Sequence, residues 1–89
     1  METNELPIPD AVSQASRSME LARIWIADGR QVIALSPNLW SDPGNWGLML
    51  VDMARHLSKQ YAEAGWSEAD VLSRIHAAFD AEWSHPTKA

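Results

Sequence analysis

The dipeptide Asp28-Gly29 is the feature that most constrains the fold of this 89-residue chain. It separates two β-rich runs, residues 20–27 and 31–36. A two-residue type I′ turn needs positive φ at both central positions, and Asp-Gly is among the pairs that accept this most readily. Such a turn also fixes the register of the strands that it joins. The sequence therefore predicts an antiparallel β-hairpin.

Side-chain alternation divides this hairpin into two faces. The aliphatic face, which is suited to a core, consists of Ala22, Ile24, Ile26, Ile33 and Leu35. The mixed face consists of Arg23, Trp25, Arg30, Val32 and Ala34. Exposed Trp and Arg side chains are typical of protein interfaces. We therefore predict that the mixed face is open and binds either a second copy in a homodimer or another protein. Partial cover of Trp25 by residues 10–19 is the alternative.

A first helix is predicted over about residues 43–64. Ser41 or Asp42 can cap its N-terminus, and Pro43 suits the first helical position. Apolar residues then recur every three or four positions and predict a buried stripe. Gly65 is the expected stop, because a helix often ends on a residue in the left-handed conformation.

A second helix is predicted over about residues 68–84. Ser67 is the expected N-cap, with Asp70 three residues later. The stripe that begins at Val71 is predicted to be buried, and Pro86 lies just beyond the helix. The short connection between the helices favours an antiparallel pair.

The predicted fold is α+β, with two layers and the order β-β-α-α. The two antiparallel helices are expected to cover the aliphatic face of the hairpin. Residues 19–86 form this single domain, residues 1–18 form a flexible arm with one helical turn after Pro9, and residues 87–89 form a tail.

Composition narrows the classes of function. The chain has no Cys, which excludes disulfides and thiolate chemistry, and its N-terminus lacks the features of a signal peptide. No apolar run is long enough to suggest a membrane span. The net charge of −5 disfavours nucleic acid, although Arg23, Trp25 and Arg30 resemble the stacking residues of some RNA modules. We expect a cytoplasmic protein that binds neither nucleic acid nor membrane.

A resemblance covers about residues 20–86. It rests on the hairpin RIWIADGRQV, the loop SPNLWSDPGNWG, and the helix positions Leu50, Asp52, His56 and Tyr61. These segments resemble a family of short, mostly alphaproteobacterial proteins known as a domain of unknown function. The resemblance implies a bacterial, cytoplasmic protein and carries no activity. The N-terminal arm lies outside it.

The loop from Trp40 to Trp46 supports an alternative function. Together with Asp52 and His56, it would form a small-ligand-binding or enzymatic site, since a helix N-terminus attracts anions. However, Asp42 places a negative charge at that terminus, and Asp52 and His56 form only half of a metal site. Core closure by Trp40 and a solvated helix face are the simpler interpretations. We therefore predict no catalytic residue, metal or cofactor, and favour a non-enzymatic interaction module.

Overall fold

The computed structural model describes residues 2–87. Met1 of the predicted arm and residues 88 and 89 of the predicted tail lie outside this range. The α+β class and the order β-β-α-α are confirmed. The elements, in chain order, are α1 (Asp10–Ser13), β1 (Ala22–Ala27), β2 (Arg30–Leu35), α2 (Gly44–Glu63) and α3 (Glu68–Ser84). The chain divides into two units, a hairpin unit that ends at Leu39 and a helical unit that begins at Trp40.

The hairpin has the predicted register. Strands β1 and β2 pair antiparallel, with Trp25 opposite Val32. Asp28 and Gly29 have φ values of 51° and 79°, which is the backbone that a type I′ turn requires. The Ser36 N–H donates to the Leu21 carbonyl at 2.8 Å, so pairing extends one residue beyond the strands. The turn chemistry alone is sufficient to specify this local structure.

The aliphatic face of the hairpin is exposed. Among residues 2–39 none is buried. The exposed fractions of Ile24, Ile26, Ile33 and Leu35 lie between 49% and 72%. Within the hairpin unit, therefore, no second layer buries this face. Its predicted cover by the two helices stays a prediction. Alternation identifies which side chains share a face, but burial also needs a second layer, and a two-stranded hairpin contains none.

The arm contains the predicted helical turn after Pro9, here α1. The Val12 N–H donates to the Pro9 carbonyl at 3.0 Å, and Pro9 is the N-cap. Proline can occupy this place because the first N–H groups of a helix have no intrahelical partner. The flexibility of the arm stays a prediction.

Helix α2 begins and ends as its sequence predicts, within one residue. Pro43 is the N-cap residue, and the Gly44 N–H donates to Asp42 Oδ1 at 2.8 Å, so the carboxylate just before Pro43 caps one N–H of the first turn. At the other end, Gly65 has φ 102°. The Trp66 N–H reaches the Tyr61 carbonyl at 3.2 Å, and the Gly65 N–H reaches the Ala62 carbonyl at 3.0 Å. This pair of bonds is the Schellman motif.

Helix α3 has the predicted bounds and the predicted cap. The Ser67 Oγ accepts a hydrogen bond from the Asp70 N–H at 3.3 Å. Only four residues, 64–67, separate α3 from α2. Since the two helices contact each other across this short connection, they form a helical hairpin.

The interior of the helical unit is small. Ser58 and Val71, exposed by 1% and 5%, are the two buried residues within 2–87. The Ser58 hydroxyl donates to the Arg55 carbonyl at 2.7 Å, which satisfies its buried polar group. Both residues lie within about two turns of the connection. The stripe of α2 that was predicted to be buried remains substantially exposed, as at Leu50, Met53, Leu57 and Tyr61.

Aromatic contacts reinforce the connection. Trp66 meets Tyr61 edge to face, with ring centroids 5.9 Å apart. The Arg74 guanidinium lies 5.2 Å from the Trp66 ring. These contacts link the end of α2 to the first turns of α3. No helix among the described residues combines the length and the apolar character needed to cross a membrane.

Candidate interaction surfaces

The mixed face of the hairpin is less open than predicted. Trp25 is half-buried, although Val32 opposite it and Arg30 beside the turn are exposed. Residues 4–8 of the arm and part of β1, including Trp25, line a cavity of about 440 Å³. The strand residues of this lining belong to both faces, since they include Ala22 and Ile24 as well as Trp25. The arm segment therefore lies along β1, and it precedes the residues 10–19 that the sequence suggested.

Arg23 ties this segment of the arm to the strand. Its Nη1 lies 2.7 Å from Glu5 Oε2, and its Nε lies 2.7 Å from Glu20 Oε1. The hydrogen bond to Glu20, and then that to Glu5, raises the pKa of Arg23 above its ordinary value. Glu5 is 18 residues away in sequence. Arg23 is thus already engaged by two carboxylates, which reduces its availability to a partner.

The aliphatic face is the hairpin surface that sequence reasoning missed as a contact site. Its side chains were assigned to the core, and they are instead among the exposed large hydrophobic residues. The exposed members are Ile24, Ile26, Ile33 and Leu35, whereas Ala22 is half-buried. Both faces of the hairpin therefore present apolar side chains, with the larger aliphatic surface on the face that lacks Trp25.

The loop before α2 is closed by its own contacts. The rings of Trp40 and Trp46 meet edge to face at a centroid distance of 4.9 Å, and both side chains are half-buried. Asp42 caps the helix with its carboxylate. The N-terminus of α2, where an anion would bind, thus already holds a negative group. The structure brings the two tryptophans together, but as packing partners for each other.

Asp52 and His56 are not brought together. Both side chains are exposed, and no hydrogen bond or ion pair joins them within residues 2–87. In the same part of the chain, no three His, Cys, Asp or Glu residues cluster in a way that would hold a metal ion. The solvated helix face is the interpretation that agrees with this geometry.

A groove lined largely by apolar side chains lies between α2 and α3 in the helical unit. This helix groove has a volume of about 730 Å³. Its apolar lining includes Leu50, Val51, Ala54, Leu72, Ile75 and Phe79. The stripes predicted to be buried include Leu50, Leu72, Ile75 and Phe79 of this lining. Leu72 and Ile75 are half-buried, whereas Leu50 and Phe79 are exposed. Asp52 and His56 do not line the groove.

Charged groups border the helix groove on both sides. Arg55 comes from α2, whereas His76 and Asp80 come from α3. His76 Nε2 lies 3.4 Å from Asp80 Oδ2, and both side chains are largely exposed. A cation on one wall and a carboxylate on the other give the groove opposite charges on its two helices.

A solved structure from the photosynthetic bacterium Rhodopseudomonas palustrus CGA009, described as a candidate pyruvate dehydrogenase, is similar to this chain. The two are 36% identical with a TM-score of 0.78, and the match covers 99% of this chain and 91% of the other. No curated protein matches the chain.

The family comparison confirms the resemblance found in the sequence. The model of a domain of unknown function, DUF5076, matches residues 5–87. The match includes most of the arm, which the sequence resemblance had left out, and begins at Glu5, the residue that pairs with Arg23. This chain therefore belongs to the DUF5076 family.

Proposed function

We propose that the chain is a non-enzymatic protein-interaction module of the bacterial cytoplasm, and that it self-associates through its hairpin. The observation that carries this proposal is the exposure of the aliphatic face. A two-stranded hairpin is marginally stable in water, and large exposed apolar patches are uncommon on monomeric proteins. A second hairpin stacked on this face supplies the layer that the first one lacks.

The sheet edges support the same function. The sheet contains two strands, so each strand has one edge without a strand partner. Such edges are templates for pairing with another chain. Stacking of aliphatic faces is the better use of the hairpin, because it buries Ile24, Ile26 and Ile33. Trp25 and Val32 then form a secondary contact on the opposite face.

A non-enzymatic role is favoured over a catalytic one. Pyruvate dehydrogenase activity is named for the Rhodopseudomonas palustrus structure, and carbanion chemistry of that kind is carried by a cofactor that the protein must position. In this chain, the residues that are the best candidates for a ligand site already make structural contacts. Asp42 caps α2, while Trp40 and Trp46 pack on each other. Because these side chains are engaged within the chain, they favour a protein that acts through packed contacts over one that acts through a ligand site.

Light scattering after size exclusion tests the proposal over low to high micromolar concentrations. The wild type is expected to be a dimer that dissociates on dilution. Ile24→Glu places a charge on the aliphatic face and is expected to give a monomer. Trp25→Glu is expected to weaken the dimer less, because Trp25 is already half-covered.

Gln14→Glu is the matched control, since it adds the same charge at an exposed arm position. It is expected to leave the oligomeric state unchanged. Far-UV circular dichroism checks that each variant is folded. A monomeric wild type at high micromolar concentration, or a dimer that tolerates Ile24→Glu and Trp25→Glu, would remove the proposal.

A further inference from the structure

We propose that the helix groove is a second docking face, and that its occupant is the helix groove of another copy of this chain. This inference rests on the proposed self-association and names where the helical unit takes part in it. Two helix pairs that meet groove to groove would form a four-helix assembly. That arrangement is the ordinary way in which amphipathic helix pairs bury a common apolar stripe.

The apolar lining extends along both helices and is therefore suited to a long, helical occupant. Its side chains come from positions spread over successive turns of both helices, from Gly47 to Arg55 on α2 and from Ala69 to Asp80 on α3. Exposed side chains such as Leu50, Val51 and Phe79 protrude along this length. Another pair of helices offers matching ridges, because side chains of neighbouring helices pack as ridges into grooves.

The charges of the groove identify the second copy as the occupant. In a two-fold interface, if one residue contacts another across the axis, the reverse contact also exists. Arg55 and Asp80 lie on different helices of the same groove. Docking of α2 on the partner's α3 therefore forms two Arg55–Asp80 pairs at once.

The distances of Arg55 and Asp80 from the helix connection are compatible with such a pair. At 1.5 Å per residue, Arg55 lies about 15 Å from the connection and Asp80 about 20 Å from it. An arginine side chain spans the difference. Within residues 2–87, Arg55 makes no side-chain ion pair, and Asp80 has only the neighbouring His76 at 3.4 Å. Both groups are thus available across an interface.

Gly47 gives independent support. It lies in α2 and lines the groove, although glycine weakens a helix relative to alanine. A Cβ placed on it would meet nothing within 4 Å in this chain. No intrachain contact therefore excludes a side chain at this position. In the proposed dimer, Gly47 would let a partner's helix backbone approach closely.

Charge reversal tests the pairing. Arg55→Asp and Asp80→Arg each place like charges opposite one another at both pairs. Each variant alone is expected to raise the Kd of self-association by about tenfold or more, because like charges in an interface are strongly unfavourable. Sedimentation velocity over a dilution series measures this constant.

Mixing the two variants is the decisive step. A heterodimer of Arg55→Asp with Asp80→Arg contains opposite charges at both pairs, so an equimolar mixture is expected to return to within about threefold of the wild-type Kd. An intrachain pair could not be restored in this way. Recovery on mixing also shows that both variants are folded.

Lys59→Asp is the matched control, because it makes the same charge change on α2 outside the groove lining. Its Kd is expected to stay within about threefold of the wild-type value, as is usual for a charge away from the interface. A Kd unaffected by either groove reversal, or no recovery on mixing, would overturn the inference. If the groove reversals leave the Kd unchanged but Ile24→Glu still dissociates the wild-type dimer, the hairpin proposal survives and only the groove assignment fails.

A second readout detects other occupants. The apolar dye 1-anilinonaphthalene-8-sulfonate is expected to bind more strongly to the dissociated Arg55→Asp variant than to the wild-type dimer, because dissociation uncovers the groove. Equal dye fluorescence in both would show that the groove is open in the dimer. That result would instead favour a small apolar ligand and overturn docking by a second copy.

Discussion

The hairpin unit and the helical unit each contain a pair of elements joined by a turn with a left-handed glycine, yet within residues 2–87 buried residues occur only in the helical unit. Gly29 and Gly65 have φ values of 79° and 102°. No residue from 2 to 39 is buried, whereas Ser58 and Val71 are enclosed near the helical connection. The same kind of glycine turn thus occurs in two units that differ in how much they bury.

The difference follows from the geometry of the elements. Two helices that meet at a short connection can enclose side chains between them, because each presents a stripe to the other. A two-stranded sheet is a single layer, and both of its faces point outward. The hairpin unit by itself therefore supplies no cover for its faces. The helical unit encloses Ser58 and Val71 near the connection and leaves the helix groove open.

The largest effect is expected at the interior of the helical unit. Val71→Asp buries a charge that has no partner and should lower the free energy of unfolding by about 3–5 kcal/mol. Urea denaturation followed by circular dichroism measures this loss. The control Gln60→Asp, at an exposed position of α2, should change it by less than about 0.5 kcal/mol. A loss below about 1 kcal/mol for Val71→Asp would mean that the helical unit has no real interior.

The two turn glycines allow the units to be compared directly. Gly65→Ala and Gly29→Ala each force a side chain into the left-handed region, at a cost of about 1–2 kcal/mol. We expect Gly65→Ala to lower the midpoint of urea unfolding. We expect Gly29→Ala to speed amide hydrogen exchange in β1 and β2 with little change in that midpoint, because local opening of the hairpin disrupts no interior. Equal effects of both variants on one cooperative transition would show that the units unfold together.

Local structure could be predicted because its causes lie within a few residues. Asp28 and Gly29 determine the turn and, through it, every pairing from Ala22–Leu35 to Ala27–Arg30. Likewise, Ser67 marks the start of α3 and Gly65 marks the end of α2. The hydrogen bonds at both positions are those expected of an N-cap and of a C-terminal glycine. Such signals act through backbone conformation and capping, which do not depend on distant parts of the chain.

Burial and the candidate surfaces were harder to predict because they depend on which other part of the chain, or which other molecule, packs against a given side chain. Ile24 and Leu50 carry the apolar pattern of core residues, and nothing in that pattern distinguishes cover within a chain from cover by another chain. The cavity beside Trp25 is lined in part by an arm segment whose Glu5 pairs with Arg23, 18 residues away. No periodicity connects two such positions. The use of the mixed face by a partner stays a prediction.

A smaller effect is expected at the start of α3. Ser67→Ala removes the oxygen that accepts the Asp70 N–H and should cost about 1 kcal/mol. Ser67→Asp keeps an acceptor there and should recover most of the loss. Thermal unfolding of the three proteins at one low concentration provides the measurement. A cost near zero for Ser67→Ala would show that water replaces the cap, and it would weaken the view that the helical unit is stabilised locally.

The smallest effect is expected at the exposed charge cluster of the hairpin unit. Glu5→Gln removes one of the two carboxylates that contact Arg23, and we expect no measurable change in Tm, because exposed ion pairs gain little over hydration and are screened by salt. Gln14→Glu, elsewhere in the arm, is the control. The contact should still matter locally, so Glu5→Gln is expected to shift the indole N–H resonance of Trp25 in a ¹H–¹⁵N NMR spectrum as the arm moves away. An unchanged spectrum would mean that the arm stays beside Trp25 without Glu5.

The pH dependence of this cluster follows from the direction of the Arg23 shift. Its pKa is raised in the folded chain, chiefly by Glu20 and then by Glu5. The stabilisation from Arg23 is therefore complete below the ordinary arginine pKa and is lost only as pH rises through the higher folded value. The Trp25 spectrum should accordingly stay constant from about pH 6 to 9, a range in which arginine remains protonated. A spectral transition within that range would show that a titrating group other than Arg23 controls the surroundings of Trp25, and it would separate the Glu5–Arg23 pair from the half-burial of that ring.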